Sequence, residues 1–177
     1  MKKVDENIVY MHLKTIVTAL FCIILDQLFK NHIITTLQQN QKVLIFPGIY
    51  KTFVWNKGVA FSMFSSSSNA SIFFLIFISF SICAVLMYLM FSSKGYGKFY
   101  TLSITLMLSG GLSNIIDRVF YGAVIDYIYL SYNGYNWPTI FNFADMCICL
   151  GAALFTYWTM VLSPENKNTA PEKYSFE

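Results

Sequence analysis

Residues 70–91 read ASIFFLIFISFSICAVLMYLMF, running from Ala70 to Phe91 without one charged side chain. A helix needs about 20 predominantly apolar residues to cross the hydrocarbon core of a bilayer, and this stretch meets that length with only hydroxyls as polar groups. It is read as a transmembrane helix, and the rest of the chain is interpreted around it. Upstream, a hydrophobic segment over about 13–37 follows Lys2, Lys3 and Lys14. Basic residues before an apolar run also open a signal peptide. No small-x-small cleavage site follows here, however, and the periodic pattern continues past Asp26, so a retained span is expected. Downstream, 99–116 and 140–162 are long enough to cross again, giving four spans at about 13–37, 70–91, 99–116 and 140–162.

Composition agrees with that count. The 177 residues are 56% hydrophobic and 12% charged, against about 25% charged in an ordinary soluble domain. A net charge of +3, thinly spread, lacks the basic stripe that nucleic-acid binding requires, so no nucleic-acid partner is expected. Cys22, Cys83, Cys147 and Cys149 all sit in apolar runs, where cysteine acts as a small hydrophobe. His12 and His32 have no acidic or thiol partner at ligand spacing, so no metal and no cofactor is expected.

The segments between spans are of two kinds. Residues 40–64 carry the Pro47-Gly48 turn signal and the β-rich run from Ile49 to Trp55, which predicts an extramembrane insert of short extended pieces. Residues 117–139, with Asp117, Arg118, Asp126, Asn133-Gly134 and Pro138, read as a loop or interfacial segment. Residues 1–163 then form one integral membrane domain and 164–177 a polar cytoplasmic tail. Four spans put both termini on one side. Lys2, Lys3, Lys14, Lys94, Lys98, Lys167 and Lys173 would flank that side, and Lys30, Lys42, Lys51, Lys57 and Arg118 the other. The basic excess marks the terminal side as cytoplasmic.

Acids inside membrane segments are costly, about 2.5–3.5 kcal/mol each at a helix centre on insertion scales, so they point to function. Asp26, Asp117, Asp126 and Asp145 gather toward the outer boundary in this topology. Asp26 and Lys30 lie one helical turn apart in the favoured ion-pair order, which fits a structural salt bridge as well as a functional role. Gly110, Asn114, Asp117 and Arg118 share one helix face; a capping pair of Asp117 with Arg118 is the plainer reading of its end. Asn142 and Asp145 face the same way on the fourth helix, and Asp126 is free to approach them. Two such carboxylates in a poorly solvated place hold a single proton near neutral pH. One then serves as base toward water and the other as acid toward an amide carbonyl. A proton-coupled transporter would instead call for acids at mid-membrane and internal symmetry, and no repeat is visible. A scaffold associating through Gly110 and Gly111 leaves Asp126 and Asp145 unexplained.

Five boxes in order resemble those of the lipoprotein signal peptidases, or signal peptidase II. Asp26-Gln27-Leu28-Phe29-Lys30 is similar to D-Q-x-x-K, and the run Asn56-Lys57-Gly58-Val59-Ala60-Phe61 to N-x-G-x-A-F. The run Gly110 to Arg118 is similar to G-G-x-x-N-x-x-D-R, Val124-Ile125-Asp126 to V-x-D, and Phe141-Asn142-Phe143-Ala144-Asp145 to F-N-x-A-D. The resemblance implies an all-α membrane protein of four transmembrane helices with a small extracytoplasmic β-cradle, which residues 40–64 would supply, and a short interfacial helix after it. It implies an aspartic endopeptidase that removes the signal peptide from diacylglyceryl-modified prolipoproteins, cutting before the lipidated cysteine. Asp126 and Asp145 would be the catalytic pair. Asn56, Gly58, Asn114, Arg118 and Asn142 would surround the substrate, with Asp26, Lys30 and Asp117 in support. The expected setting is the bacterial inner membrane, with membrane lipid and prolipoprotein as partners, the chain a monomer and the site toward the extracytoplasmic face. Ser113 departs from the glycine usual before the box's asparagine, and as a small residue it should keep helix packing close. Trp55, Phe53 and Phe61 would be interface or lid residues, and aromatic anchoring at the membrane boundary suffices for Trp55 and Phe53 individually.

Overall fold

Helix length follows from the uninterrupted apolar runs, and the helices α1 (Glu6–Thr36), α2 (Asn69–Ser92), α3 (Gly97–Tyr121) and α4 (Phe143–Tyr157) carry the chain. The computed structural model describes residues 6–58, 69–92 and 97–163. Each helix is apolar and long enough to cross a bilayer, α4 with the π-helical turn Trp158–Leu162 that continues it. Residues 164–177, residues 59–68 with Phe61, and the expected interfacial helix lie outside the described residues.

Two boundaries differ from expectation in ways that matter. Asp117 and Arg118 do not follow the third span but lie on it, because α3 runs on to Tyr121. The helix can continue through a carboxylate because Asp117 finds a cationic partner within the protein. It ends where Gly122 takes a positive φ of 70° and returns its N–H to the Arg118 carbonyl, a conformation open to glycine. The fourth span begins at Phe143 rather than 140, with Asn142 as its N-cap.

α3 is the central helix, packed against α1, α2 and α4. Glycine makes this possible. A Cβ on Gly110 would strike the Ala144 carbonyl oxygen and come within 2.8 Å of Ile148 Cγ1; one on Gly151 would stand 2.7 Å from the Ser103 carbonyl oxygen. The two backbones therefore meet directly, as small residues permit in membrane helices. On the outside, Phe21, Leu28, Phe73, Phe77 and Phe80 are exposed, which suits surfaces solvated by acyl chains. Cys22, Cys83 and Cys147 are buried and Cys149 is exposed, all unpaired.

The extended insert is present but is only half of a sheet. β1 (Val43–Phe46) and β2 (Ile49–Asn56) form a hairpin, and β3 (Val124–Tyr132) and β4 (Tyr135–Asn136) complete an antiparallel sheet in the order β1-β2-β3-β4. Residues 124–132 and 135–136, expected to lie in a loop or interfacial segment, are thus strands. The partner of β3 across the sheet, β2, lies far away in sequence, whereas β3 turns into β4 at Asn133-Gly134, both at positive φ, the two-residue loop that an Asn-Gly pair favours. The register opposes Val54 to Asp126, with a bulge between Lys51 and Val54.

One face of the sheet closes on the end of α1, where Ile33 and Leu37 pack with Phe53, Ile125 and Tyr127. Phe53 is therefore core rather than lid or anchor. Trp55 is half-buried against it, ring centroids 5.0 Å apart, with Tyr121 at 5.5 Å. A two-way bridge joins β3 to the residue before the α4 cap: Ile128 N–H donates to the Phe141 carbonyl at 2.8 Å and Phe141 N–H returns to the Ile128 carbonyl at 3.1 Å.

Candidate active site

The site grows from a buried ionic cluster between α1 and α3. Lys30 Nζ lies 2.6 Å from Asp26 Oδ2 and 2.7 Å from Asp117 Oδ2, all three side chains essentially without exposure. Removing a partner from such a group costs about 3–5 kcal/mol, since it strands a buried charge. The Asp26–Lys30 pair expected from spacing is present, but Lys30 is shared with Asp117 and is no boundary charge. Arg118 makes no capping pair with Asp117. Its guanidinium donates to the Asn114 carbonyl at 3.4 Å and to the Gly58 carbonyl at 3.1 Å, so it clasps the start of the loop after β2.

Two residues given no site role in the sequence complete the cluster. Ser113 Oγ donates to Asp26 Oδ2 at 2.7 Å, and Gln27 Nε2 donates to Ser113 Oγ at 3.0 Å and to Asp117 Oδ1 at 2.8 Å. Ser113, expected to serve packing alone, thus joins the polar network. Its hydroxyl was the available signal. Asp26 Oδ1 also accepts the Ala144 N–H at 3.0 Å and Asp117 Oδ2 the Ile125 N–H at 3.2 Å. The cluster therefore fastens both the first turn of α4 and the start of β3.

Above the cluster stand three asparagines and two aspartates. Asn114 Oδ1 accepts from Lys30 Nζ at 3.0 Å, and its Nδ2 donates to Asp145 Oδ1 at 2.9 Å. Asn142 caps α4: its Oδ1 accepts the Asp145 N–H at 2.9 Å, while Asp145 Oδ2 accepts the Asn142 N–H at 3.1 Å. This is a reciprocal capping box with an aspartate at the third helical position. Asn142 Nδ2 turns the other way and donates to Asp126 Oδ1 at 2.8 Å. Asn56 Nδ2 donates to Asp126 Oδ2 at 2.9 Å, and Asn56 Oδ1 accepts the Gly58 N–H at 2.9 Å. Tyr127 Oη accepts the Phe143 N–H at 3.1 Å, satisfying another free donor of the helix start.

Every site residue expected from the sequence thus falls in one connected network, and a single side chain, Asn142, touches both Asp126 and Asp145. Among the described residues no group of three or more His, Cys, Asp or Glu is arranged to hold a metal ion. Burial first, and the nearby Asp145 charge second, push the Asp126 carboxyl up to about 7, against the opposing hydrogen bonds from Asn56 and Asn142 and the Lys30 charge. Between about pH 4 and 7 the native protein therefore keeps a proton that the unfolded chain has released. Stability falls as pH rises through that window and levels off above it. Thermal denaturation in detergent should show a lower midpoint at pH 8 than at pH 5, and Asp126→Asn should shrink the difference; an unchanged difference in the variant would assign it elsewhere.

Comparison with known proteins gives a consistent result. Residues 18–161 match the family described as signal peptidase (SPase) II. The lipoprotein signal peptidase of Polynucleobacter necessarius is 32% identical over 145 residues, covering 82% of this chain and 88% of that protein. That of Yersinia enterocolitica is 34% identical over 149 residues, covering 84% and 87%. A bacterial membrane enzyme solved by the in meso method at 2.3 Å resolution superposes with a TM-score of 0.77 at 28% identity, covering 91% of this chain and 94% of its own. A second, at 1.9 Å resolution, gives 0.74 at 30% identity, covering 85% and 94%.

Proposed function

The chain belongs to the signal peptidase II family, and from that premise we propose that it acts through Asp126 and Asp145 as an intramembrane aspartic endopeptidase. It removes the signal peptide from prolipoproteins by cutting before a diacylglyceryl-modified cysteine. The observation that carries the assignment of the pair is the double contact of Asn142, whose amide and backbone N–H groups hold one carboxylate each, 2.8 Å from Asp126 and 3.1 Å from Asp145. An aspartic mechanism needs such a pair in a poorly solvated place, one ionised to accept a proton from water and one protonated to polarise the amide carbonyl.

Asn56, Asn114 and Asn142 hold the carboxylates, while Arg118 holds the Gly58 carbonyl beside them. Asp26, Lys30 and Asp117 fasten the helices behind them. The substrate's lipid explains the location: acyl chains stay in the bilayer while the peptide bond beside them reaches acids at the membrane boundary.

The protein is of the bacterial inner membrane. Both termini are cytoplasmic in this reading and the site faces the extracytoplasmic side, supported by the basic excess near the termini and by the burial of Lys30, which removes one charge from the opposite count. Residues 1–163 are one membrane domain and 164–177 a cytoplasmic tail. In this reading the chain acts as a monomer.

The test is incubation of purified protein with a diacylglyceryl-modified prolipoprotein and with its unmodified form. Only the lipidated substrate should be cut. A hydroxyl-bearing mimic of the tetrahedral intermediate should inhibit and EDTA should leave the rate unchanged; loss of turnover in EDTA would overturn the acid–base mechanism.

A further inference from the structure

The two aspartates receive equal numbers of hydrogen bonds, yet their donors are not equivalent. Amide orientation settles this. An ammonium group has only donors, so the atom of Asn114 that faces Lys30 at 3.0 Å must be its oxygen, and its NH2 is left for Asp145. By the same logic the Asp145 N–H fixes the oxygen of Asn142 and the Gly58 N–H fixes that of Asn56, which turns both NH2 groups toward Asp126. The amide serving Asp145 is thus polarised by a buried cation, whereas the two serving Asp126 are polarised by neutral backbone groups. Cooperative polarisation strengthens the first donor. Asp145 also lies in the first turn of α4, where the helix dipole favours negative charge, and Asp126 is on a strand.

We propose that Lys30 is a positioning residue whose ammonium fixes the Asn114 amide and thereby makes Asp145 the base toward water and Asp126 the acid that carries the resting proton. This rests on the reading of Asp126 and Asp145 as the catalytic pair. The charged groups that bear on Asp126 are Asp145 from α4, Arg118 from α3 and Lys30 from α1, and β2 contributes the Asn56 amide. In the reaction, the water oxygen bonds to the scissile carbonyl carbon as one water proton passes to Asp145, and the carbonyl oxygen takes the proton of Asp126. The C–N bond then breaks as Asp145 gives its proton to the leaving nitrogen, and a hydroxyl proton of the intermediate returns to Asp126.

The test follows carboxyl carbon signals by NMR in detergent-solubilised protein carrying 13C-labelled aspartate, assigned with Asp126→Asn and Asp145→Asn. In the parent, the Asp126 signal should titrate near neutrality while Asp145 remains a carboxylate. The double variant Lys30→Met, Asp117→Asn removes one positive and one negative charge, so the cluster keeps its net charge but loses the donor to Asn114. There Asp145 should join the titration near neutrality, with kcat down about tenfold and KM within about twofold. A purely structural role for Lys30 would lower the amount of folded protein and leave the titration order alone. If the double variant does not fold, Asn114→Leu removes the same donor to Asp145 with Lys30 still paired, and should change the order likewise. Asp145 titrating above Asp126 in the parent, or an unchanged order in the folded variant, overturns the proposal. The dyad reading itself fails on a different result, full cleavage by either single aspartate variant.

Discussion

Asp126→Asn and Asp145→Asn should each lower prolipoprotein cleavage by about a thousandfold or more while leaving a folded membrane protein. General acid–base groups each contribute about 10²–10⁴ in rate, and members of one catalytic unit fail together, so the double variant should be little worse than either single one. The fold should survive because asparagine has the same shape and neither acid belongs to the ionic cluster of Asp26, Lys30 and Asp117. In Asp126→Asn, one of the two donors now facing the side chain, Asn56 or Asn142, loses its acceptor, at about 1 kcal/mol. Circular dichroism and a melting curve beside the cleavage assay separate the effects. A variant that is folded and fully active would remove its residue from the dyad.

The second large effect belongs to a residue with no functional group. Gly110→Ala should abolish folded protein, since its Cβ would run into the backbone carbonyl of Ala144 and also stand 2.8 Å from Ile148 Cγ1. A carbonyl on a packed helix cannot step aside without moving the helix, and Ala144 immediately precedes Asp145. Gly111→Ala is the control. There the new methyl meets only the Cys83 thiol at 2.8 Å, and a side chain can turn, so a modest drop in melting temperature with cleavage retained is expected. Expression and monodispersity in detergent, read beside activity, distinguish the two. Equal tolerance at both positions would refute the close helix approach as the reason for the glycine.

Sequence reading succeeded where the physics is local. The charge-free run 70–91, the one-turn spacing of Asp26 and Lys30, and the Asn142–Asp145 spacing that becomes a capping box all depend on neighbours within a few residues. It failed where partners are remote. Val124 to Tyr132 is rich in β-branched and aromatic residues, yet Val124 to Tyr127 are all buried, so the alternation that marks a half-exposed strand is missing. The turn residues on either side, Gly122 and Asn133-Gly134, then point to a loop. Asp117 and Arg118 misled for the same reason: adjacent opposite charges suggest each other, but the structure gives Asp117 to Lys30 and Arg118 to the Gly58 carbonyl. Ser113 looked like a spacer because what it bonds, Asp26 and Gln27, is on another helix.

The bridge between Ile128 and Phe141 has a mechanical consequence. α4 is hinged to the sheet by main-chain hydrogen bonds at the very end that bears Asp145, while its opposite end meets α3 through the rings of Phe155 and Trp158 on Tyr100 and finishes in the π-helical turn. Helices answer a change in hydrocarbon thickness by tilting, and a lever pivoted at its working tip moves that tip least. Turnover in vesicles of different acyl length should vary far less than the inclination of the helix does.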